Sequence, residues 1–223
     1  MKTDFAILDV DGTILSKRSI DVICDRFGLT SKLKEIDNRF RDAPRIEVTK
    51  EIAQLLAGIK RSEIEKIFDS IPFNSGVIDL ITFLKERNFV IALATDGYKF
   101  LADRLKEKLP IDLIYGNILE FDGEILTGKI LTKADCLHVP GCKEYLICKL
   151  RLLKSMKGAL GGMAVAIGDS ESDYCMFEGA DISIAYRPKG ERIKKVVNVF
   201  VQEFSDVIKY LTFQLERGSK YGI

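Results

Sequence analysis

The sequence predicts a doubly wound α/β fold with a mostly parallel sheet and a small α-helical cap inserted after the first strand. Three observations predict it. Short apolar runs, Phe5–Val10, Val90–Ala94 and Met163–Ile167, each end at a polar residue close to glycine. Such continuous runs suit strands covered on both faces, as in a parallel sheet. Helical patterns alternate with these runs, which is the signature of a doubly wound architecture. Residues of roughly 16–74 break the alternation, reading as helices with no convincing strand.

In chain order, Phe5–Val10 is the first strand. Ile20–Phe27, Lys32–Phe40, Ile46–Ala57 and Ser62–Phe68 are amphipathic helices of the cap, with Pro72–Gly76 as the return hinge. This places 16–74 in the cap and 1–15 with 75–223 in a discontinuous core. Val77, Leu80, Ile81 and Leu84 recur at helical spacing and predict a helix over Val77–Arg87 that runs into the strand Val90–Ala94. Asp122-Gly123, between Ile118–Phe121 and Glu124–Leu126, predicts a hairpin within Gly116–Ile130. A helical pattern over Tyr145–Leu153 leads to the strand Met163–Ile167. Asp181–Ala185 and Val196–Val201 complete the strands, and Phe204–Leu215 reads as a terminal helix.

Composition narrows the class. The 223 residues are 47% hydrophobic and 30% charged, as in a globular protein with a sizeable core. A net charge of +1 gives no global field that would favour nucleic acid or an anionic membrane. One basic residue and a short apolar run at the N-terminus do not make a signal peptide, and no run approaches a membrane span. Five cysteines without regular spacing suggest reduced thiols, and the expectation is a cytoplasmic enzyme. Oligomeric state is not encoded legibly.

The chemistry concentrates at the predicted strand ends, where open α/β sheets bind ligands. Asp9 and Asp11 stand one residue apart after the first strand. Crowded carboxylates at a buried strand end call for a cation, most simply a divalent metal, and suit chemistry on an anionic substrate such as a phosphate ester. One could attack phosphorus while the other exchanges protons with the leaving alcohol and water. An ordinary Asp-Gly turn is the alternative. In Gly168–Asp173, Asp169 can supply an oxygen to Mg²⁺, and Asp173, four residues on, lies on the same face of a following helix. Ser170–Ser172 can equally cap that helix. Thr95-Asp96-Gly97 can hold phosphate oxygens through a hydroxyl and backbone N–H groups, or be a plain turn. Lys143, about 26 residues before Asp169, could neutralise a transferring phosphoryl group. His138, the single histidine, lies in Cys136-x-His138-x₃-Cys142, whose spacing matches no usual zinc frame and lacks an evident fourth ligand. The expectation is a loop histidine with incidental thiols.

In this order, Asp9-x-Asp11-Gly12-Thr13, Thr95, Lys143 and Gly168-Asp169-x-x-x-Asp173 resemble the haloacid dehalogenase-like phosphohydrolase superfamily. Gly168–Ala180 and Asp122–Gly128 look similar to the phosphoserine phosphatase group. The resemblance implies Asp9 as nucleophile and Asp11 as acid/base. It places Thr95, Asp96, Gly97 and Lys143 at the phosphate. It also implies Mg²⁺ held by Asp9, the Asp11 carbonyl and Asp169, with Asp173 supporting the site. A small phosphorylated metabolite is the implied partner. A phosphotransferase of the same fold, or a catalytically idle binding protein, are the alternatives.

The sequence departs from that group at three points. Arg18 stands where phosphoserine phosphatases place a glutamate that meets the substrate amine, and no arginine aligns within Ile46–Ala57. Asp96 replaces a small residue. An amine cannot pair with Arg18, so the expectation is a substrate other than phosphoserine. Arg18, with Lys17, Arg39, Arg41 or Arg45, could instead meet an anionic tail. Solvated basic helix faces are the alternative.

Overall fold

The structure, a computed structural model, describes residues 2–221. The elements in order are β1 (Thr3–Leu8), α1 (Ser19–Arg26), α2 (Thr30–Arg39), α3 (Arg45–Leu55), α4 (Arg61–Asp69), α5 (Val77–Glu86), β2 (Val90–Tyr98), α6 (Lys99–Asp103), β3 (Leu113–Asn117), β4 (Leu119–Asp122), β5 (Ile125–Ile130), α7 (Lys149–Leu160), β6 (Gly161–Gly168), α8 (Tyr174–Gly179), β7 (Ile182–Tyr186), α9 (Glu191–Lys194), β8 (Val199–Val201) and α10 (Phe204–Tyr221). Six strands form one sheet in the order β3-β2-β1-β6-β7-β8. Every neighbouring pair in it is parallel.

The apolar runs explain the sheet. Phe5, Ala6, Ile7 and Leu8 are all fully buried. Their side chains alternate between faces, as the period of a strand requires. Ala6 and Leu8 join Ile91, Leu93, Val165 and Ile167 in one hydrophobic cluster. Phe5 and Ile7 join Ala92, Ala94, Ala164 and Ala166 in another, on the opposite face. Strand order reverses between β1 and β6, so their carboxyl ends open the crevice that a doubly wound sheet offers a ligand.

Helices α1–α4 lie between β1 and α5, close to the predicted boundaries. Their buried faces, including Ile23, Val48, Ile52, Leu56, Ile64 and Phe68, share the larger cluster with the sheet. The predicted hairpin forms as β4–β5, but it pairs outside the six-stranded sheet. It joins the helical insertion instead: Gly58 N–H donates to the Leu126 carbonyl at 2.8 Å, and Leu126 N–H to the Ile59 carbonyl at 3.0 Å. Gly128 has φ +84° there, and a Cβ would approach Ala57 Cβ to 3.0 Å.

Two sequence expectations shift, and two elements are added. β3 and the short α6 were not evident in the pattern. The helix expected over Tyr145–Leu153 begins at Lys149, and residues 131–148 contain neither helix nor strand. The strand expected over Val196–Val201 is only Val199–Val201. Among the described residues, no helix is long and apolar enough to cross a membrane.

Candidate active site

Asp9 follows β1, and Asp169 and Asp173 follow β6, so the sheet brings three carboxylates together at the crevice. One oxygen from each lies within 4.8 Å of the others, and all three residues are buried. Gly12 makes the turn after β1 possible. Its φ is +87°, and a Cβ there would stand 2.2 Å from Asp169 Oδ2. The turn is held by Asn74, whose Nδ2 donates to the carbonyls of Thr13 at 2.8 Å, Gly12 at 3.1 Å and Leu15 at 3.1 Å.

The lysine at this centre is Lys149, which corrects the expectation for Lys143. Lys143 is exposed in the loop before α7. Its carbonyl accepts from Arg45 N–H at 2.9 Å. Lys149 is 2% exposed. Its Nζ donates to Asp9 Oδ1 and, at 2.6 Å, to Asp173 Oδ1. The helix starting at 149 rather than 145 explains the displacement. A sequence signal existed: Lys149 interrupts the apolar run Leu146-Ile147-Cys148-x-Leu150, and a lysine so placed needs a buried partner.

Asp173 is fully committed. Oδ1 receives Lys149, and Oδ2 accepts the backbone N–H groups of Asp169 and Ser170, both at 3.0 Å. Ser170 and Asp173 thus cap the short turn Glu171–Asp173 reciprocally. Asp169 is different. Oδ2 lies 2.6 Å from Lys189 Nζ, while buried Oδ1 has no hydrogen-bond partner. Burial raises the Asp169 carboxyl, and Asp173 adds to it. Burial also pushes Asp9 well up, Lys149 opposing and the two neighbouring carboxylates reinforcing. Lys149 stays charged: burial alone would lower it, but Asp173 and Asp9 together raise it. The cluster therefore has more carboxylate than cation, a donor set of hard oxygens suited to a divalent ion.

Asp11 turns toward α1. Oδ1 accepts Ser19 N–H at 2.8 Å and Oδ2 accepts Ser19 Oγ at 3.1 Å. Burial raises its pKa against those bonds. Thr95 is buried, and its Oγ1 accepts Gly97 N–H at 2.9 Å, leaving the hydroxyl hydrogen to donate elsewhere. A Cβ on Gly97 would stand 3.0 Å from that Oγ1 and 3.5 Å from Asp11 Oδ2. Gly97 thus keeps space open, while its N–H is already spent. Asp96 has a buried Oδ1 without a partner, and burial pushes its carboxyl up to about 7. A neutral carboxyl removes the repulsion that an anion beside phosphate would create.

These groups open on a cavity of about 250 Å³, lined by Asp9, Asp11, Thr95, Asp96, Gly97 and Lys189. The helical insertion forms the opposite wall with Arg18, Ile20, Ile23, Arg45, Val48 and Ile52. Arg18 Nη1 lies 3.2 Å from Asp21 and 3.3 Å from Asp37, and Arg45 lies 3.7 Å from Asp37. Arg39 and Arg41 do not reach the cavity; they bond Glu51 and Asn38 on the outside. Lys17 is exposed.

Residues 6–178 match the haloacid dehalogenase-like hydrolase family. A phosphoserine phosphatase of Idiomarina loihiensis is 30% identical over 82% of this chain and 81% of its own length. One from Streptococcus thermophilus is 29% identical over 82% and 83%. For the Archaeoglobus fulgidus phosphoserine phosphatase the identity is 28% over 86% of this chain, which spans about half, 54%, of that relative. A solved phospho-aspartyl intermediate analogue of phosphoserine phosphatase superposes with a TM-score of 0.80, covering 94% of this chain and 99% of that one at 23% identity. The chain therefore belongs to the haloacid dehalogenase-like hydrolase family, as a phosphoserine phosphatase-like member and a phosphoric monoester hydrolase.

Proposed function

We propose that the protein is a Mg²⁺-dependent phosphatase of a small phosphorylated metabolite, acting through an aspartyl-phosphate on Asp9. The observation that carries this reading is the buried cluster of Asp9, Asp169 and Asp173, with Lys149 on Asp9 and Asp173, beside a cavity that Asp9 lines. Asp9 attacks phosphorus, and the departing alcohol oxygen takes a proton from Asp11. Asp11, raised by burial, is suited to carry that proton. Ser19, whose hydroxyl can donate or accept, orients it in both protonation states. Asp11 then takes a proton from water, which attacks the acyl phosphate and frees Asp9. Lys149 and the Thr95 hydroxyl hold phosphoryl oxygens.

Asp9, Asp169 and the Asp11 carbonyl would hold Mg²⁺, with Asp173 fixing the loop and Lys149. The unpartnered Asp169 Oδ1 fits that assignment. When bound, the ion offsets the charge of the nucleophile and phosphate. The helical insertion serves as a cap that excludes water and bulky esters.

The names of the relatives favour phosphoserine, but the wall supports another ester. Arg18 and Arg45 offer cationic groups where an amine would need an anion, and Ile20, Ile23, Val48 and Ile52 offer an apolar surface. The substrate is therefore a phosphate ester with a second anionic group and no ammonium facing Arg18. The test is phosphate release, with and without Mg²⁺, from phosphoserine, phosphoglycolate, phosphocholine, sugar phosphates and p-nitrophenyl phosphate. Metal-dependent release that Asp9→Asn abolishes is expected. Full turnover by Asp9→Asn would remove Asp9 as nucleophile, and a preference for phosphoserine over phosphoglycolate, which shares its carboxylate but lacks the ammonium, would remove the no-ammonium reading.

A further inference from the structure

Two free thiols face each other in the loop between β5 and α7. Cys136 and Cys142 are both half-buried, and their Sγ atoms are 3.4 Å apart. The residues between them build that meeting. In Val139-Pro140-Gly141-Cys142, Cys142 N–H donates to the Val139 carbonyl at 3.0 Å. Proline fixes the second position of this turn, and Gly141, at φ +82°, supplies the left-handed third. The Gly141 carbonyl accepts Arg192 Nη2 at 2.7 Å, and a Cβ on Gly141 would collide with that guanidinium. Backbone N–H groups also point at the sulfurs. His138 N–H donates to Cys136 Sγ and Glu144 N–H to Cys142 Sγ, each at 3.3 Å. Both donors hold left-handed backbone, φ 48° and 53°, which non-glycine residues rarely adopt. Such donation favours the thiolate, the form that exchanges with disulfides. The segment is tied down on both sides. Asp135, beside Cys136, accepts the Tyr115 hydroxyl at 2.5 Å and Cys148 N–H at 3.2 Å. Beyond Cys142, the Lys143 and Glu144 carbonyls accept the Arg45 and Ile46 N–H groups at 2.9 and 3.0 Å. Those bonds satisfy two of the open donors at the start of α3.

We propose that Cys136 and Cys142 are a modification site: a reversible intrachain disulfide, formed by exchange with a small-molecule disulfide such as oxidised glutathione, that braces the loop against α3. The sulfurs have to close only from 3.4 Å to a bond of about 2.05 Å, and the Pro140-Gly141 turn already holds the ring in shape. Burial pushes the Cys136 thiol up to about 11, against the His138 N–H, so Cys142 opens the exchange. The Cys142 thiolate attacks one sulfur of the small disulfide, forming a mixed disulfide and releasing one small thiolate. Cys136 loses its proton, attacks Cys142 Sγ and expels the second. The two cysteine protons end on the two released thiols. The cysteine pair is oxidised by one electron pair, which reduces the small disulfide. In a reducing thiol pool the pair stays open, and it closes when that pool is oxidised. The ring ends one residue before the carbonyls that hold α3, whose Arg45 lines the cavity. Closing it removes freedom from the open states of the loop, so the start of α3 separates from the loop less often.

The test is thiol exchange in the full, unmodified chain. Reduced protein is equilibrated in glutathione buffers of rising oxidised fraction, quenched by alkylation and digested with trypsin. The peptide Ala134–Lys143 contains both cysteines. It should lose both alkyl groups and the two thiol hydrogens, and regain alkylation after dithiothreitol, while buried Cys24 stays a thiol. Amide hydrogen exchange at Arg45 and Ile46 should slow severalfold in the oxidised protein. Cys136→Ser, given the same oxidant, should show no such slowing. Neither readout depends on turnover, so failure of the phosphatase reading would leave both unchanged. Two alkylated thiols in that peptide in fully oxidised buffer, or linkage of Cys136 and Cys142 chiefly to other cysteines, would overturn the site. Equal exchange at Arg45 and Ile46 with the bond formed would overturn the brace.

Discussion

Lys149 is the residue on which the buried charges depend. It is the only cation donating to both Asp9 and Asp173 among the described residues. Replacing it leaves both carboxylates without it, a change that typically costs about 3–5 kcal/mol. Lys149→Met is therefore expected to abolish phosphate release and lower stability by that order in chemical denaturation, whereas Lys143→Ala should leave turnover within about twofold, as exposed substitutions usually do. Asp96 makes a pH-dependent prediction. Its carboxyl is raised from 3.8 to about 7 by burial. Between those values the unfolded chain has lost the proton and the folded chain keeps it, so this group destabilises the fold increasingly as pH rises through that window. Below 3.8 both states are protonated and the effect vanishes. Asp96→Asn should match the parent's unfolding free energy near pH 4 and exceed it at pH 8, by on the order of 1–2 kcal/mol after allowance for partial solvent screening. A parent that gains stability relative to the variant on going to pH 8 would contradict the raised carboxyl.

The elements divide the labour between a rigid sheet and an insertion that the hairpin holds. β5 is bonded to the chain between α3 and α4, and Gly128 sits where that contact is tightest. Gly128→Ala combines left-handed backbone with a 3.0 Å approach to Ala57. It should cost about 1–2 kcal/mol in denaturant unfolding and raise KM, because α3 carries Val48 and Ile52 on the cavity wall. Equal stability and an unchanged KM would show that the hairpin does not position α3. Much of this arrangement was legible in the sequence. β1, β2, β6 and the four insertion helices announce themselves through unbroken apolar runs or helical spacing, and Asp9, Asp11, Asp169 and Asp173 follow from strand ends. β3 was hidden because it is an edge strand that begins on the half-exposed Leu113. Lys149 is hard to single out because helical spacing extends back to Tyr145, beyond the start of α7, and so points to Lys143, six residues upstream. The hairpin's partner is a tertiary fact that no local spacing encodes.

At the scale of the whole molecule, the two sides of the cavity differ in character, and the proposed function assigns chemistry to one and selectivity to the other. The sheet side supplies the carboxylates Asp9, Asp11 and Asp96 with Lys189, and the insertion supplies Arg18, Arg45 and an apolar surface. Asp37, on α2, ties the two arginines together at 3.3 and 3.7 Å although they stand on different segments. Arg18 is one-third exposed, so a ligand anion can reach it without first breaking a fully buried pair. A charge-assisted hydrogen bond to such an anion contributes about 1.5–3 kcal/mol, or roughly 10- to 150-fold in binding. That contribution is absent for an ester with no second charge. Arg18→Ala should therefore raise KM at least about tenfold for a phosphate ester bearing a carboxylate, with kcat little changed, and leave kcat/KM for p-nitrophenyl phosphate within about twofold. Loss of kcat on both esters would place Arg18 in the packing of α1 against the site rather than in recognition. Ser19, the next residue, holds both oxygens of Asp11, which gives that alternative a defined route. The comparison of the two esters thus separates a residue that reads the substrate from one that orients the acid.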